Sequence, residues 1–552
     1  MKATNLLQAL DQRAQAVPDK TLFRFLEDGE GDSRTLNYGE LVTRASSVAA
    51  HLKSTCKSGE RVLLVFEPGL DFIVAFYGCL LARVIAVPAY PPLGRLEDAL
   101  PKLVAIADNS AATTALTSAN LWAMAQETIA STEGLARLRW VETSTLTSAG
   151  HLTTPSVAPG DVALLQYTSG STGAPKGTAL SHGNLVASSD MIRAAFDVKD
   201  GDAGVSWLPP YHDMGLIGHI VAPVWCGSES TLMSPLHFLQ RPLRWLRAVS
   251  DYGATVSGAP NFAFDLCVRK ATPQALEGVD LSRWRVAYNG ADRIWNETLS
   301  RFAETFASYG FAPHALTPCY GLAEATLIVS SKVPKSSPRV ASFGADAVED
   351  LRGRTLVSTG PVVAPATVSI RAVDSDEVLP DGALGEVCVE GPCVALGYWN
   401  AATQSPAPFS PTHRLRTGDL GFIDASELFL VDRLKDILIV RGRKVPTSDV
   451  ERAVESASDA VRPGCVASFM FEKDGAARVA IVAELSASTS PEGARSALLS
   501  VREKVVNAFG VNASDILLLP PGTLPKTSSG KMRRFRCRAH FLAGDWASLA
   551  LA

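Results

Sequence analysis

The chain has 552 residues, 47% of them hydrophobic and 20% charged, which is too long for a single core and too apolar for a disordered polymer. Its 52 basic and 56 acidic residues nearly balance, so bulk charge gives no reason to invoke nucleic acid or another polyanion as partner. The nine cysteines are scattered, without a CxxC pair or a Cys/His ligand spacing, a usage that reads as reduced and cytoplasmic.

The first twenty residues place apolar positions at helical spacing with acidic residues among them, unlike the basic-then-apolar order of a signal peptide. The continuous apolar run RVLLVF from Arg61 is followed by the most apolar passage, Phe72 to Tyr90. That passage is about long enough to cross a bilayer, but Arg83 and Pro88 interrupt it, so a buried helix followed by a buried strand is expected and no integral membrane segment. Apolar strands alternating with helices predict an α/β fold of mainly parallel, helix-covered sheets.

A further buried-strand pattern, VALLQY from Val162, runs into a loop of Thr168, Ser169, Gly170, Ser171, Thr172 and Gly173 that ends at Lys176. Small residues let backbone N–H groups and hydroxyls approach a polyphosphate, and a lysine at the rim adds a point charge. The loop lacks the Gly-Lys-Ser/Thr ending of a Walker A sequence. At SWLPPYHDMGLIGHI, two prolines fix the chain and present Tyr211, His212 and Asp213 ahead of a small-residue segment. Next come Asn289-Gly290-Ala291, by itself an ordinary turn signal, then Tyr320, Gly321 and Glu324 in TPCYGLAEATL. Arg416 to Asp419 form a turn with an acid at its end, and LFLVDRLKDILIV carries Arg433 and Lys435.

From Val440 the pattern changes to a compact α+β unit: a helix near Asp449 to Ser458, strands near Val466 and Val479, a helix from Pro491 to Phe509 and a strand at Ile516. A basic loop, LPKTSSGKMRRF, follows and contains Lys526 and Lys531.

In this order the motifs resemble those of the adenylate-forming superfamily over about residues 5 to 540, and most closely its fatty acyl-AMP ligase branch, relatives of the acyl-CoA synthetases. The resemblance implies a large adenylation domain over 1–433 and a smaller mobile domain over 434–552, with Lys435 at the hinge. It implies ATP and Mg²⁺ as cofactors, the loop 168–173 and Lys176 on the phosphates, Glu324 on the metal and His212 near the α-phosphate and carboxylate. Asn289, Gly290, Ala291, Tyr320 and Gly321 correspond to the nucleotide pocket, Asp419 and Arg433 to ribose contacts, and Lys531 to the mobile catalytic lysine. The Pro- and Ser-rich segment from Lys332 to Arg354 corresponds to an insertion carried by that branch. Lys444 to Thr447 departs from the branch's usual Asn-His-Tyr-Pro-like run.

The activity implied is ligation of a fatty acid to AMP, then transfer of the acyl group to the phosphopantetheine thiol of an acyl carrier protein. A fatty acyl-CoA synthetase shares the same catalytic residues and stands as the first alternative. An amino-acid adenylation domain would need an acid for the substrate amine, and a nucleotide-binding regulator would be expected to have lost Lys531 or Glu324.

Overall fold

The structure, a computed structural model, describes residues 3–92, 96–147, 150, 152–168, 175–344, 351–400, 408–410, 412–440, 443–473, 476–511, 513–526 and 530–551. The loop residues Ser169 to Gly173 therefore lie outside the described residues, as does the Thr168 side chain.

Two large sheets carry the first three quarters of the chain. In the eight-stranded sheet, six parallel strands lie between two antiparallel edge strands, Ser33–Asn37 and Ile328–Ser331. In the seven-stranded sheet, five parallel strands, of which Val162–Thr168 is the last, are followed by the antiparallel strands Lys176–Ser181 and Gly397–Tyr398. The strands Val162–Thr168 and Lys176–Ser181 are thus antiparallel partners, and among the described residues no helix directly follows the first of them.

The apolar passage forms the helix Leu70–Ala82 and the strand Ile85–Ala89. Of the helix residues only Asp71 escapes burial, as a helix that is apolar all round requires. Arg83 caps its C-terminus in the left-handed conformation. No helix among the described residues is long and apolar enough to cross a membrane. Pro88 sits inside a central strand, a position where it lacks an N–H for the ladder. Correspondingly, that strand keeps only Ala86↔Leu164 as a register pair with Val162–Thr168, and at the opening stand Pro88 and Tyr90.

A four-stranded antiparallel sheet of Thr367–Arg371, Gly385–Glu390, Leu415–Asp424 and Glu427–Arg433 completes this part. The described part of 332–354 packs against it: Val340–Ser342 pairs with Thr355–Val357, while Phe343, Leu351 and Leu356 join Phe422, Phe429 and Val431 in one apolar cluster.

The C-terminal residues have cores of their own, one around Val450, Ile481 and Val501 and another around Phe469, Phe471 and Trp546. Its three-stranded sheet, Val461–Lys473, Ala476–Leu485 and Asp515–Leu519, packs with helices Thr447–Glu455 and Pro491–Phe509. The latter begins at a Ser490 N-cap and ends at Gly510 in the left-handed conformation, both strong local stop signals. The former starts two residues earlier than the sequence pattern predicts, directly after Pro446.

Candidate active site

One continuous cleft of about 2320 Å³ separates the C-terminal unit from the rest and extends between the helices of the large unit. Lys176, His212, Gly290, Ala291, Tyr320, Gly321, Glu324, Asp419, Arg433, Lys435 and Lys531 all line it. Residues spread over more than 350 positions are thus brought to one place.

The nucleotide-side wall is built from strand ends. Leu316–Gly321 carries Tyr320, which is 7% exposed and donates its hydroxyl to Asp419 Oδ2 at 2.6 Å. Burial and the Asp419 charge push the phenol well above its ordinary pKa, so it remains a donor. Asp419 Oδ1 faces Arg433 Nε at 3.4 Å, and that carboxylate raises the guanidinium pKa further. Gly321 has no alternative here: a Cβ at this position would lie 1.7 Å from the Leu327 carbonyl oxygen, so the turn that presents Glu324 can close only over glycine.

Glu324 accepts a hydrogen bond from Tyr398 Oη at 2.6 Å, and the same ring lies 5.2 Å from Lys176 Nζ. Tyr398 belongs to the short strand Gly397–Tyr398, paired with Lys176–Ser181. It therefore ties Lys176 to the Glu324 carboxylate, although the sequence of this segment reads only as structural. The donor set fits a magnesium ion that takes one protein carboxylate and fills its shell from phosphate and water; among the described residues no group of three or more His, Cys, Asp or Glu could hold a metal ion by itself.

Asn289 is placed differently from its neighbours. Its side chain is fully buried, and its amide donates to Asn261 Oδ1 at 3.3 Å. It braces the strand end from behind, whereas Gly290 and Ala291 face the cleft.

On the acyl side, Gln166 donates from Nε2 to the Tyr211 carbonyl at 2.9 Å, and Tyr90 meets the Tyr211 ring edge-on at 5.1 Å. These contacts hold the bend that projects His212. Its Nδ1 lies 2.5 Å from Asp213 Oδ1. Burial alone would raise the Asp213 pKa, but His212 and Lys531 outweigh it and hold the carboxyl below its ordinary value.

Lys531 arrives from the C-terminal unit. Gly530 packs on Phe262, where a Cβ would come within 3.2 Å of the ring. Burial pushes the Lys531 pKa down and Arg433 adds to the effect, against the pull of Asp292, Asp213 and Asp419. The ammonium is thus a desolvated cation beside carboxylates, a state in which its charge acts strongly on an incoming anion.

Contacts between the two units fix this approach. Asp449 pairs with Arg293 and lies 3.5 Å from Arg354, and Arg354 also donates to the Lys444 carbonyl at 3.2 Å. Trp295 takes Arg293 and Arg452 over its ring at 4.2 and 5.5 Å. Arg534 bonds both Glu451 and Asp436, tying the turn Leu434–Asp436 to the small unit. None of Asp292, Trp295, Asp449 or Tyr398 carries a motif of its own; only their position in the folded chain reveals them.

Comparisons with known proteins agree with this geometry. Residues 10–399 match the AMP-binding enzyme family. JamA of Moorena producens, a medium-chain-fatty-acid acyl-carrier-protein ligase, is 34% identical over 98% of this chain and 95% of its own. FadD21 of Mycobacterium tuberculosis, which bears the name of a fatty-acid–CoA ligase, is 37% identical over 97% and 98%. The crystal structure of a fatty acyl-adenylate ligase from Legionella pneumophila, in complex with acyl adenylate and pyrophosphate, superposes with a TM-score of 0.75 at 34% identity, covering 100% of this chain and 98% of that one. The chain therefore belongs to the AMP-binding, adenylate-forming enzymes, as an ATP-dependent ligase of the fatty acyl-AMP ligase branch.

Proposed function

We propose that the protein joins a fatty acid to AMP and then passes the acyl group to the phosphopantetheine thiol of an acyl carrier protein in the cytoplasm. The observation that carries this reading is the meeting of Tyr320–Asp419–Arg433, Lys531 and an apolar channel in one cleft. A carboxylate oxygen attacks the α-phosphorus of ATP, the bond to the β-phosphate oxygen breaks, and pyrophosphate leaves. The two reacting groups are both anionic, so the barrier is largely one of repulsion.

In this reading Asp419 and Arg433 hold the ribose, Tyr320 packs on the nucleotide, and Lys176 with the loop 168–173 takes the outer phosphates. Glu324 is the protein ligand for magnesium, which neutralises phosphate charge when bound. His212 sits at the carboxylate, held by Asp213, and Lys531 bridges carboxylate and α-phosphate. Residues 1–433 form the adenylation domain, and 434–552 a small domain that turns about Lys435 and withdraws Lys531 before the thiol attacks the acyl carbon and AMP departs.

The contact of Arg354 with Asp449 and the Lys444 carbonyl supports a restraining role for the segment from Lys332 to Arg354. A carrier protein, docking over a larger surface than CoA, offsets that restraint with its own contacts. The second reading, a fatty acyl-CoA ligase, draws on the name of FadD21. Mass spectrometry of products from a panel of fatty acids with ATP and Mg²⁺, in the presence of CoA or of a holo-carrier, separates them. Acyl-AMP that persists with CoA and is consumed by the carrier is the expected result; efficient acyl-CoA synthesis would leave the second reading in place.

A further inference from the structure

The acyl side of the cleft is not uniformly apolar. Phe196, Ala222 and Val256 line it, but so do His219, Tyr288 and Ser230. His219 lies in the π-helical turn Ile217–Val221, seven residues beyond His212. At helical rise the two residues stand on the order of 10 Å apart, a separation comparable to half the length of a medium-length acyl chain.

The imidazole is 4% exposed, and its Nε2 lies 2.6 Å from Tyr288 Oη. Tyr288 is itself fixed by stacking on Phe196, with ring centroids 5.5 Å apart. Burial lowers the His219 pKa to about 4, so the ring is neutral at physiological pH. With Nε2 engaged by the phenol, Nδ1 is the ring nitrogen left for another partner. It points toward Gly204, where even a built Cβ would stand 3.6 Å away.

Gly204 is paired in register with Ser230 on the adjacent parallel strand. The Ser230 hydroxyl is fully buried and lacks a partner. An orphaned hydroxyl and an imidazole nitrogen therefore flank the place where one residue has no side chain. A plain alkyl chain in this place would leave the buried hydroxyl unsatisfied.

We propose that the acyl pocket selects a fatty acid bearing a hydroxyl near mid-chain, with His219 Nδ1 and Ser230 Oγ as its hydrogen-bond partners. A hydroxyl fits because it both donates and accepts: whichever His219 tautomer the Tyr288 phenol imposes, the substituent can answer it. A site built in this way rejects the analogue that lacks the group, because its own polar atoms are then stranded. The proposal rests on the acyl-AMP ligase reading and narrows its substrate class.

The test compares decanoic acid with its mid-chain monohydroxylated isomers, reading pyrophosphate release as kcat/KM. The expected result is a preference of at least about tenfold for an isomer hydroxylated at one mid-chain position, matching one net buried hydrogen bond. His219→Leu is expected to collapse that ratio toward one and to raise kcat/KM for decanoic acid, while His219→Gln keeps part of the preference. Tyr288→Phe retains the stacked ring and removes only the phenol, so a reduced ratio is expected there too, whether or not His219→Leu folds. Preference of the unmodified enzyme for decanoic acid over every isomer overturns the proposal while leaving the ligase reading standing. The same holds for a ratio unmoved in both variants. Absence of pyrophosphate release with all acids sinks both.

Discussion

The two ends of the cleft are assembled in opposite ways. The end assigned to the nucleotide is built from two adjoining sheets: Tyr320 comes from Leu316–Gly321 and the paired Asp419 and Arg433 from Leu415–Asp424 and Glu427–Arg433, and the three satisfy one another directly. In the proposed function the lysine end is complete only while the C-terminal residues are docked, through contacts of Asp449, Arg293, Arg354 and the Trp295 stack. A preformed pocket can hold substrate through the whole cycle, whereas a delivered cation can act in one step and be withdrawn for the next. Under the proposed function binding falls to the first and timing to the second, and each assignment can be broken separately.

The largest effect is expected from Lys531→Ala. Removing a preorganised charge from the reacting centre costs about 10²–10³-fold in rate, so acid-dependent pyrophosphate release should fall by at least that much while ATP binding persists. Release near the unmodified rate would show that the delivered end is not the chemical one. The pH profile sharpens the point. Burial lowers the Lys531 pKa, and the role requires the protonated form, so kcat/KM is lost as pH rises through that lowered value. The alkaline limb should begin below about 10.4, the ordinary lysine value, and Lys531→Arg should move it upward.

Asp419→Asn attacks the other end. An amide accepts the Tyr320 hydrogen bond but loses the charge that faces Arg433. With hydrogen bonds to charged groups worth about 1.5–3 kcal/mol, KM for ATP should rise roughly tenfold to a hundredfold, with a smaller change in kcat. A fall in kcat alone would contradict the division between binding and timing.

The same asymmetry explains what the sequence discloses. The preformed end is legible because its residues lie in short ordered motifs, and the helix Pro491–Phe509 is legible because Ser490 and Gly510 punctuate it. What stays hidden is long-range and carries no local pattern. Tyr398 reaches Glu324 across 74 positions, and Arg293 reaches Ser448 across 155. Asn289 belongs to a motif, yet its side chain turns into the core because Asn261 receives it there. Motif order finds the strand ends; only packing decides which way each side chain faces.

Glu324→Gln should have an intermediate effect, since a neutral amide is a poorer ligand for a hard cation. The rate should fall about tenfold and the Mg²⁺ titration shift to higher concentration. Tyr398→Phe, which frees Glu324 of its hydrogen bond but keeps the ring beside Lys176, should leave that titration closer to the unmodified curve. Overlapping magnesium curves for Glu324→Gln and the unmodified enzyme would remove Glu324 from the metal site.

The smallest effect is expected at the seam between the units. Asp449 meets both Arg293 and Arg354 across the seam, and the proposed function gives it no contact with the reacting atoms. Its replacement by Asn keeps the size and a polar head but removes the charge. The side chains of Asp449, Arg293 and Arg354 are only 11–14% exposed, but Asn keeps an acceptor for both guanidiniums, so about 1 kcal/mol of charge assistance is lost and the docked arrangement should lose only a few-fold in population. The first step, which needs Lys531 delivered, should slow by that few-fold, while thiol transfer, which needs it withdrawn, should not slow at all. Burst kinetics with a holo-carrier resolve the two steps. Slowing of both by the same factor would mean that Asp449 merely supports the fold, and that the seam does not set the timing of Lys531.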